Sequence, residues 1–70
     1  MLEWKYLNDF SILAEGVLAD FEILTAFENG AFWYLVVDET IEDRFNTEDE
    51  AKLKADEMDL EDKLGMMDHF

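Results

Sequence analysis

The sequence predicts an α+β fold, a small antiparallel β-meander of three to four strands followed by one acidic C-terminal α-helix. Three observations support this prediction: an Asn-Gly pair between two apolar, β-rich runs, a helix-capping motif that opens an acidic segment, and a length of 70 residues. A chain of that length has room for one small hydrophobic core, so we expect a single domain spanning residues 1–70.

The Asn29-Gly30 pair predicts a β-hairpin, because these residue types readily adopt the two positive φ angles of a type I′ turn. We expect its strands near residues 20–28 and 31–38. A two-residue loop would place Phe27 opposite Phe32, and both faces of the hairpin would then be apolar. One face would carry Phe21, Ile23, Phe27, Phe32, Tyr34 and Val36, and the other Leu24, Ala26, Trp33, Leu35 and Val37.

Two shorter strands are expected on either side of this hairpin. Residues 10–14 are predicted to form a strand that ends near Gly16. A helix within residues 2–15 is an alternative, since apolar residues in this region also recur at helical spacing. Residues 42–45 are predicted to form a short edge strand, and their charges would protect that edge from pairing with another chain.

A helix is predicted over residues 47–64. Thr47-Glu48-Asp49-Glu50 is a capping box, in which the threonine hydroxyl accepts a hydrogen bond from the amide three residues later. Three acids in the first turn also complement the positive end of the helix dipole. We expect Gly65 to cap the other end. At 100° per residue the apolar residues form two stripes: Ala51, Ala55 and Met58 on one side, and Leu53, Leu60 and Leu64 on nearly the opposite side.

The two helix stripes and the two apolar sheet faces exceed what one short chain can cover with its own residues. A helix that rests on one sheet buries only one stripe. The sequence therefore predicts a homodimer, and a kink near Met58 that turns the second stripe inward is the monomeric alternative. The residues expected at the dimer interface are Trp33, Leu35, Leu53, Leu60 and Leu64.

The chain lacks the residues needed for nucleophilic catalysis, for a metal site with thiolate ligands or for a calcium-binding EF-hand loop. There is no cysteine, Ser11 is the one serine, and His69 is the one histidine, next to the C-terminus. The acidic run that starts at Asp56 has methionine and glutamate where a calcium-binding EF-hand loop needs a ligand and a glycine. We expect no enzymatic activity, no catalytic residue, no metal and no cofactor.

The net charge of −14, from nineteen Asp and Glu against five Lys and Arg, is the outlying property of the sequence. Such a charge repels nucleic acid and anionic membranes, so direct binding to either is not expected, and it favours a basic protein surface as partner. The N-terminus does not follow the pattern of a signal peptide, and no run approaches the length of a membrane span. A cytoplasmic protein is expected.

The carboxylates concentrate between residues 38 and 62, and the helix holds eight of them. Along the axis of an 18-residue helix they average one per ~3.4 Å, which is close to the phosphate spacing along one DNA strand. A solvated face that serves solubility, including one of halophilic origin, is the alternative reading. The candidate phosphate-mimicking residues are Asp38, Glu39, Glu42, Asp43, Glu48, Asp49, Glu50, Asp56, Glu57, Asp59, Glu61 and Asp62.

In size, charge and this acidic segment, the chain resembles the phage-encoded DNA mimics, small acidic host-takeover proteins that occupy the DNA-binding sites of host proteins. Within that group it is most similar to the phage inhibitor of the bacterial histone-like protein HU. The resemblance implies an inhibitor in the host bacterial cytoplasm, associated with the nucleoid through its target. One alternative function is a phage or plasmid regulatory domain that binds a protein partner through an apolar patch around Trp33, with the acids serving solubility only. A structural acidic subunit of a larger assembly is the other.

Overall fold

The computed structural model describes residues 2–67, which form a five-stranded antiparallel sheet followed by one C-terminal helix. The predicted α+β fold is confirmed, with one strand more than expected. Each strand pairs with its neighbour in sequence, so the sheet is a simple meander. His69 lies outside the described residues. The elements are β1 (Lys5–Asn8), β2 (Ser11–Glu15), β3 (Asp20–Phe27), β4 (Ala31–Val37), β5 (Thr40–Phe45) and α1 (Glu48–Met67).

Residues 2–15, for which the sequence allows either a strand or a helix, contain β1, β2 and the turn between them. The Asn8 side chain shapes this turn, since its Oδ1 accepts a hydrogen bond of 2.8 Å from the Phe10 amide. Ile12 and Ala14 alternate inward from β2, and the exposed Tyr6 and Phe10 do not form a buried helical stripe with them. The strand prediction is correct, since Ser11–Glu15 forms β2 and pairs with β1 and β3.

The β3–β4 hairpin has a register one residue away from the predicted one. Its loop contains three residues, 28–30, and places Phe27 opposite Ala31 and Ile23 opposite Leu35. Asn29 and Gly30 do have positive φ angles, 54° and 128°. Because side chains alternate along a strand, the shift turns β4 over relative to the prediction. The predicted division of the hairpin into two faces was therefore wrong for β4.

A two-residue loop occurs instead between β4 and β5. Asp38 and Glu39 have φ angles of 48° and 70°, and Val37 pairs with Thr40 across them. This geometry matches a type I′ turn without the glycine that such turns favour. It also explains why β5 begins at Thr40, two residues before the predicted edge strand. A bulge at Leu35 and Val36 follows on the same strand pair.

Helix α1 packs across β3, β4 and β5 through its small residues. Ala51 and Ala55 are completely buried, and their short side chains let the helix approach the sheet closely. Met58 completes this stripe, as predicted, by packing against the core. On the sheet, the buried centre beneath the helix is formed by Ile12, Phe21, Ile23 and Leu35, with Leu2, Trp4, Trp33, Val37 and Phe45 around it.

The two ends of α1 differ in how well the sequence predicted them. At the start, the Glu50 amide donates to the Thr47 hydroxyl over 3.2 Å, so the predicted cap is present. At the other end the helix continues through Gly65 to Met67, and the prediction that Gly65 ends it was wrong. Gly65 is not among the residues with positive φ, which a glycine cap of this kind requires.

The other face of the sheet, turned away from α1, is apolar and is covered by none of the elements within residues 2–67. Its membership follows from the strand register, in which Leu24 lies opposite Tyr34 and Leu13 lies opposite Glu22, which in turn faces Val36. We call this surface the open sheet face. Its apolar residues are Leu13, Leu24, Ala26, Phe32, Tyr34 and Ile41, together with Val36, which its neighbours already bury.

Candidate partner-binding surface

The exposed side of α1 carries a row of three leucines. Leu53, Leu60 and Leu64 are 63%, 56% and 52% exposed and lie opposite the buried alanines. The helix is continuous through Met58, so the kink that would have turned this stripe inward is not seen. Large apolar side chains aligned on a helix surface are characteristic of a site that contacts a partner.

Four exposed carboxylates flank these leucines: Asp49, Glu50, Glu57 and Glu61. At 1.5 Å per residue, the stretch from Asp49 to Leu64 extends about 22 Å along the helix axis. We call this surface the acidic ridge. It consists of Asp49, Glu50, Leu53, Glu57, Leu60, Glu61 and Leu64.

Asp59, a predicted phosphate mimic, is instead buried at 4% exposure. Its Oδ1 accepts a hydrogen bond of 2.9 Å from the Val17 amide, and its Oδ2 lies 3.2 Å from the Lys63 ammonium. Burial by itself would raise the pKa of Asp59, but the Val17 amide and Lys63 outweigh it and hold the pKa below its usual value. This carboxylate fastens the β2–β3 turn to the helix and is not presented to a partner.

Three more helix acids turn toward the fold. The half-buried Asp56 accepts a 2.9 Å hydrogen bond from the Leu2 amide, which fixes the start of the described chain against the helix. Asp62 is also half-buried. Glu48 lies 3.2 Å from Lys52, whose ammonium also donates to the Tyr6 hydroxyl. Although burial lowers the pKa of Lys52, these two partners outweigh it and raise the pKa above its usual value.

The remaining predicted acids lie away from the ridge. Asp38 and Glu39 form the β4–β5 turn and line an open depression of about 420 Å³ at one end of the open sheet face. Glu42 and Asp43 are exposed on the edge strand β5. The structure thus distributes the twelve candidate acids among the ridge, the helix–sheet contact, a turn and an edge. It does not bring all twelve to one surface.

The predicted dimer-interface residues also divide between two places. Leu35 is completely buried beneath α1, so the fold itself covers it. Trp33 is half-buried beside it, packed against the core on the helix face of the sheet. The leucines belong to the acidic ridge. In the observed register, the β4 residues on the uncovered face include Phe32 and Tyr34 in place of the predicted Trp33 and Leu35.

Phe32 and Tyr34 could have been assigned to this surface from one signal in the sequence. A three-residue loop, 28–30, was as compatible with Asn29-Gly30 as a two-residue one, and the shifted register places Phe32 and Tyr34 on the face that carries Leu24 and Ala26.

Among residues 2–67 no three His, Cys, Asp or Glu side chains converge in a way that would hold a metal ion. No helix in that range is both long enough and apolar enough to cross a membrane.

Comparison of the chain with protein-family models, with curated proteins and with solved structures finds no match.

Proposed function

We propose that this chain is a DNA-mimic inhibitor whose acidic ridge occupies the basic DNA-binding surface of a bacterial nucleic-acid-binding protein and blocks DNA binding. A nucleoid protein such as HU is the favoured target, reached in the host cytoplasm by a protein of phage origin. Inhibition requires occlusion alone, so no catalytic group, metal or cofactor takes part.

The observation that carries this proposal is the way the helix distributes its lysines. Two of the three, Lys52 and Lys63, are paired with Glu48 and Asp59, acids on the inward side of α1. Lys54 alone is left at the margin of the acidic ridge. The outward carboxylates are therefore largely free of neutralising partners, as an imitation of a phosphate row requires.

The ridge would meet its target through two kinds of contact. Its carboxylates would pair with Arg and Lys that otherwise hold phosphates, and the net charge would steer the two proteins together. Its leucines would pack against the hydrocarbon stems of those long basic side chains. We therefore expect a target surface that combines basic side chains with accessible apolar area.

A homodimer is part of the same proposal. Uncovered apolar surface remains on both the helix and the sheet, and a second copy is the simplest way to bury part of it.

The proposal can be tested by displacement of fluorescent duplex DNA from purified HU. Glu50→Gln, Glu57→Gln and Glu61→Gln together remove three ridge charges and should raise the concentration needed for displacement roughly 10-fold, since each exposed ion pair contributes up to ~1 kcal/mol.

The matched control is Glu3→Gln with Glu28→Gln and Glu42→Gln, which changes the net charge equally at exposed positions off the ridge. It should leave displacement within about 2-fold of the unmodified chain. Equal losses in the two variants would mean that net charge alone acts. No displacement by the unmodified chain would refute HU as the target.

The exposed leucines favour one second candidate, the regulatory domain that binds through an apolar surface. For this candidate the exposed ridge leucines would take the place of the patch around Trp33, because Trp33 is packed against the core. Leu53→Ser with Leu60→Ser keeps every charge, so binding that survives the three Glu→Gln changes but not these two would favour the regulator.

A further inference from the structure

Two of the uncovered apolar surfaces of the described chain, the acidic ridge and the open sheet face, differ in how their charges are arranged. On the ridge, exposed carboxylates accompany the leucines along its whole length. On the open sheet face the basic residues are Lys5 and Arg44, which share its side by register with Leu13 and Tyr34. Its acids lie toward one end and are Glu3, Glu15, Asp20, Glu22, Asp38 and Glu39, with Glu42 at the neighbouring bulge.

The arrangement of charge on the open sheet face bears on which surface takes a second copy. Two ridges brought together would oppose rows of like charges in a partly desolvated contact, which costs free energy. The open sheet face instead has an apolar end, with Leu24, Phe32 and Tyr34, that carries Arg44. Two such faces can place the basic end of each copy against the acidic end of the other, so a second copy is disfavoured at the ridge and favoured at the sheet.

The charges on the open sheet face are also arranged so that two copies complement each other. Arg44 lies 4.6 Å above the Phe32 ring and pairs with Tyr34, at the level of Leu24 on β3. The depression of about 420 Å³ lies toward the other end and is lined by acids, among them Asp20 and Glu22. Asp20 is four residues from Leu24, or about 13 Å along the strand.

We propose that the open sheet face binds a second copy of this chain, with two sheets packed face to face about a two-fold axis. Such a packing is self-complementary, so a basic group near one end of the face meets an acidic group near the other end. Arg44 of each copy would then reach the acidic depression of the other. This inference rests on the homodimer within the proposed function and names its interface.

Face-to-face packing has a consequence for inhibition. Sheets pack about 10 Å apart and each helix lies on the outer side of its own sheet, so the two helices would be separated by about 30 Å. Their acidic ridges would point in opposite directions. One dimer would therefore present two independent ridges and bind two target surfaces.

The particle mass in solution tests the interface. The unmodified chain should sediment at twice 8.2 kDa. Tyr34→Glu, at the centre of the open sheet face, should weaken self-association roughly 30-fold or more, as is usual for the aromatic centre of an interface. Ile41→Glu, at a position already 62% exposed, should shift the mass toward 8.2 kDa without threatening the fold.

The matched control is Leu53→Glu on the ridge, at 63% exposure and with the same change in charge. It should leave the dimer intact. A monomeric unmodified chain would overturn the proposal, and so would a dimer that Leu53→Glu disrupts while Ile41→Glu does not.

A charge exchange tests the contact of Arg44 with the acidic depression. Arg44→Glu should weaken the dimer, and adding Glu22→Arg in the same chain should restore it. If the double variant is as weak as Arg44→Glu alone, the proposed orientation of the two sheets is wrong.

Salt separates this inference from the proposed function. Salt screens the repulsion between two copies that each carry a charge of −14, so self-association should become tighter as salt rises, whereas binding to a basic target should weaken. A salt-resistant dimer that displaces no DNA would refute the mimic and keep the interface. Displacement of DNA by a monomer would support the mimic and refute the interface.

Discussion

Asp59 joins the helix to the turn between β2 and β3 with a carboxylate that is almost completely buried. A buried charge is tolerated only where partners replace its water, and the Val17 amide and Lys63 do so here. The residue looks like one more acid in a run of acids in the sequence. Its role becomes visible only when the fold brings residue 17 beside residue 59.

The lowered pKa of Asp59 predicts a particular dependence of stability on pH. A carboxylate whose folded-state pKa lies below its unfolded value of 3.8 stabilises the fold above that value, and the contribution is lost as the pH falls through the folded-state pKa. Asp59→Asn should therefore lower the free energy of unfolding by about 1–3 kcal/mol at neutral pH. The difference from the unmodified chain should shrink below pH ~4.

Urea unfolding at a series of pH values measures this difference. Glu57→Gln, on the exposed ridge, is the control and should change stability by less than about 0.5 kcal/mol. A gap between Asp59→Asn and the unmodified chain that stays constant into acid would show that the charge of Asp59 does not contribute.

At the scale of elements, the predicted features were those that depend on residues close together in sequence. The cap at Thr47, the positive φ angles at Asn29 and Gly30 and the buried stripe of Ala51, Ala55 and Met58 are all local patterns. The hairpin register was not predictable in this way, because loops of two and three residues both fit an Asn-Gly pair. Burial of Leu35 beneath the helix, a long-range contact, fixes the register.

The β2–β3 turn shows how closely the elements approach. A Cβ at Gly16 would lie 2.6 Å from Phe21 Cε2, 2.7 Å from the Ala19 carbonyl oxygen and 2.8 Å from Asp59 Oδ1. Gly16→Ala should therefore lower the free energy of unfolding by about 1–3 kcal/mol, through overpacking and disturbance of the Asp59 contact.

The same substitution at Gly65 is the matched control, because a Cβ there meets nothing within 4 Å and the residue lies inside α1. Gly65→Ala should raise the free energy of unfolding by up to about 1 kcal/mol, since alanine favours the helix. Thermal unfolding of both variants measures the two effects. Shifts of the same sign would contradict the packing described at the β2–β3 turn.

At the scale of the whole molecule, the fold sorts charge that the sequence presents as one acidic run. Inward acids of α1 hold lysines and backbone amides, and outward acids stand beside leucines. The open sheet face carries its acids toward one end and Arg44 toward the other. Helical periodicity alone placed Leu53, Leu60 and Leu64 on one line, but it did not reveal that Asp59 is buried or that Asp38 and Glu39 lie at the far end of the sheet. Those positions depend on the sheet register and on which side of the sheet the helix covers.

In the proposed function, the acidic ridge binds a basic DNA-binding surface through charge. The most direct test is the Kd of the chain for purified HU, measured from about 0.1 M salt, where the Debye length is about 10 Å, to about 1 M, where it is about 3 Å. We expect the affinity to fall at least ~10-fold over this range, and to fall less steeply for the chain with Glu50, Glu57 and Glu61 changed to Gln. A Kd that is the same at both salt concentrations would contradict it.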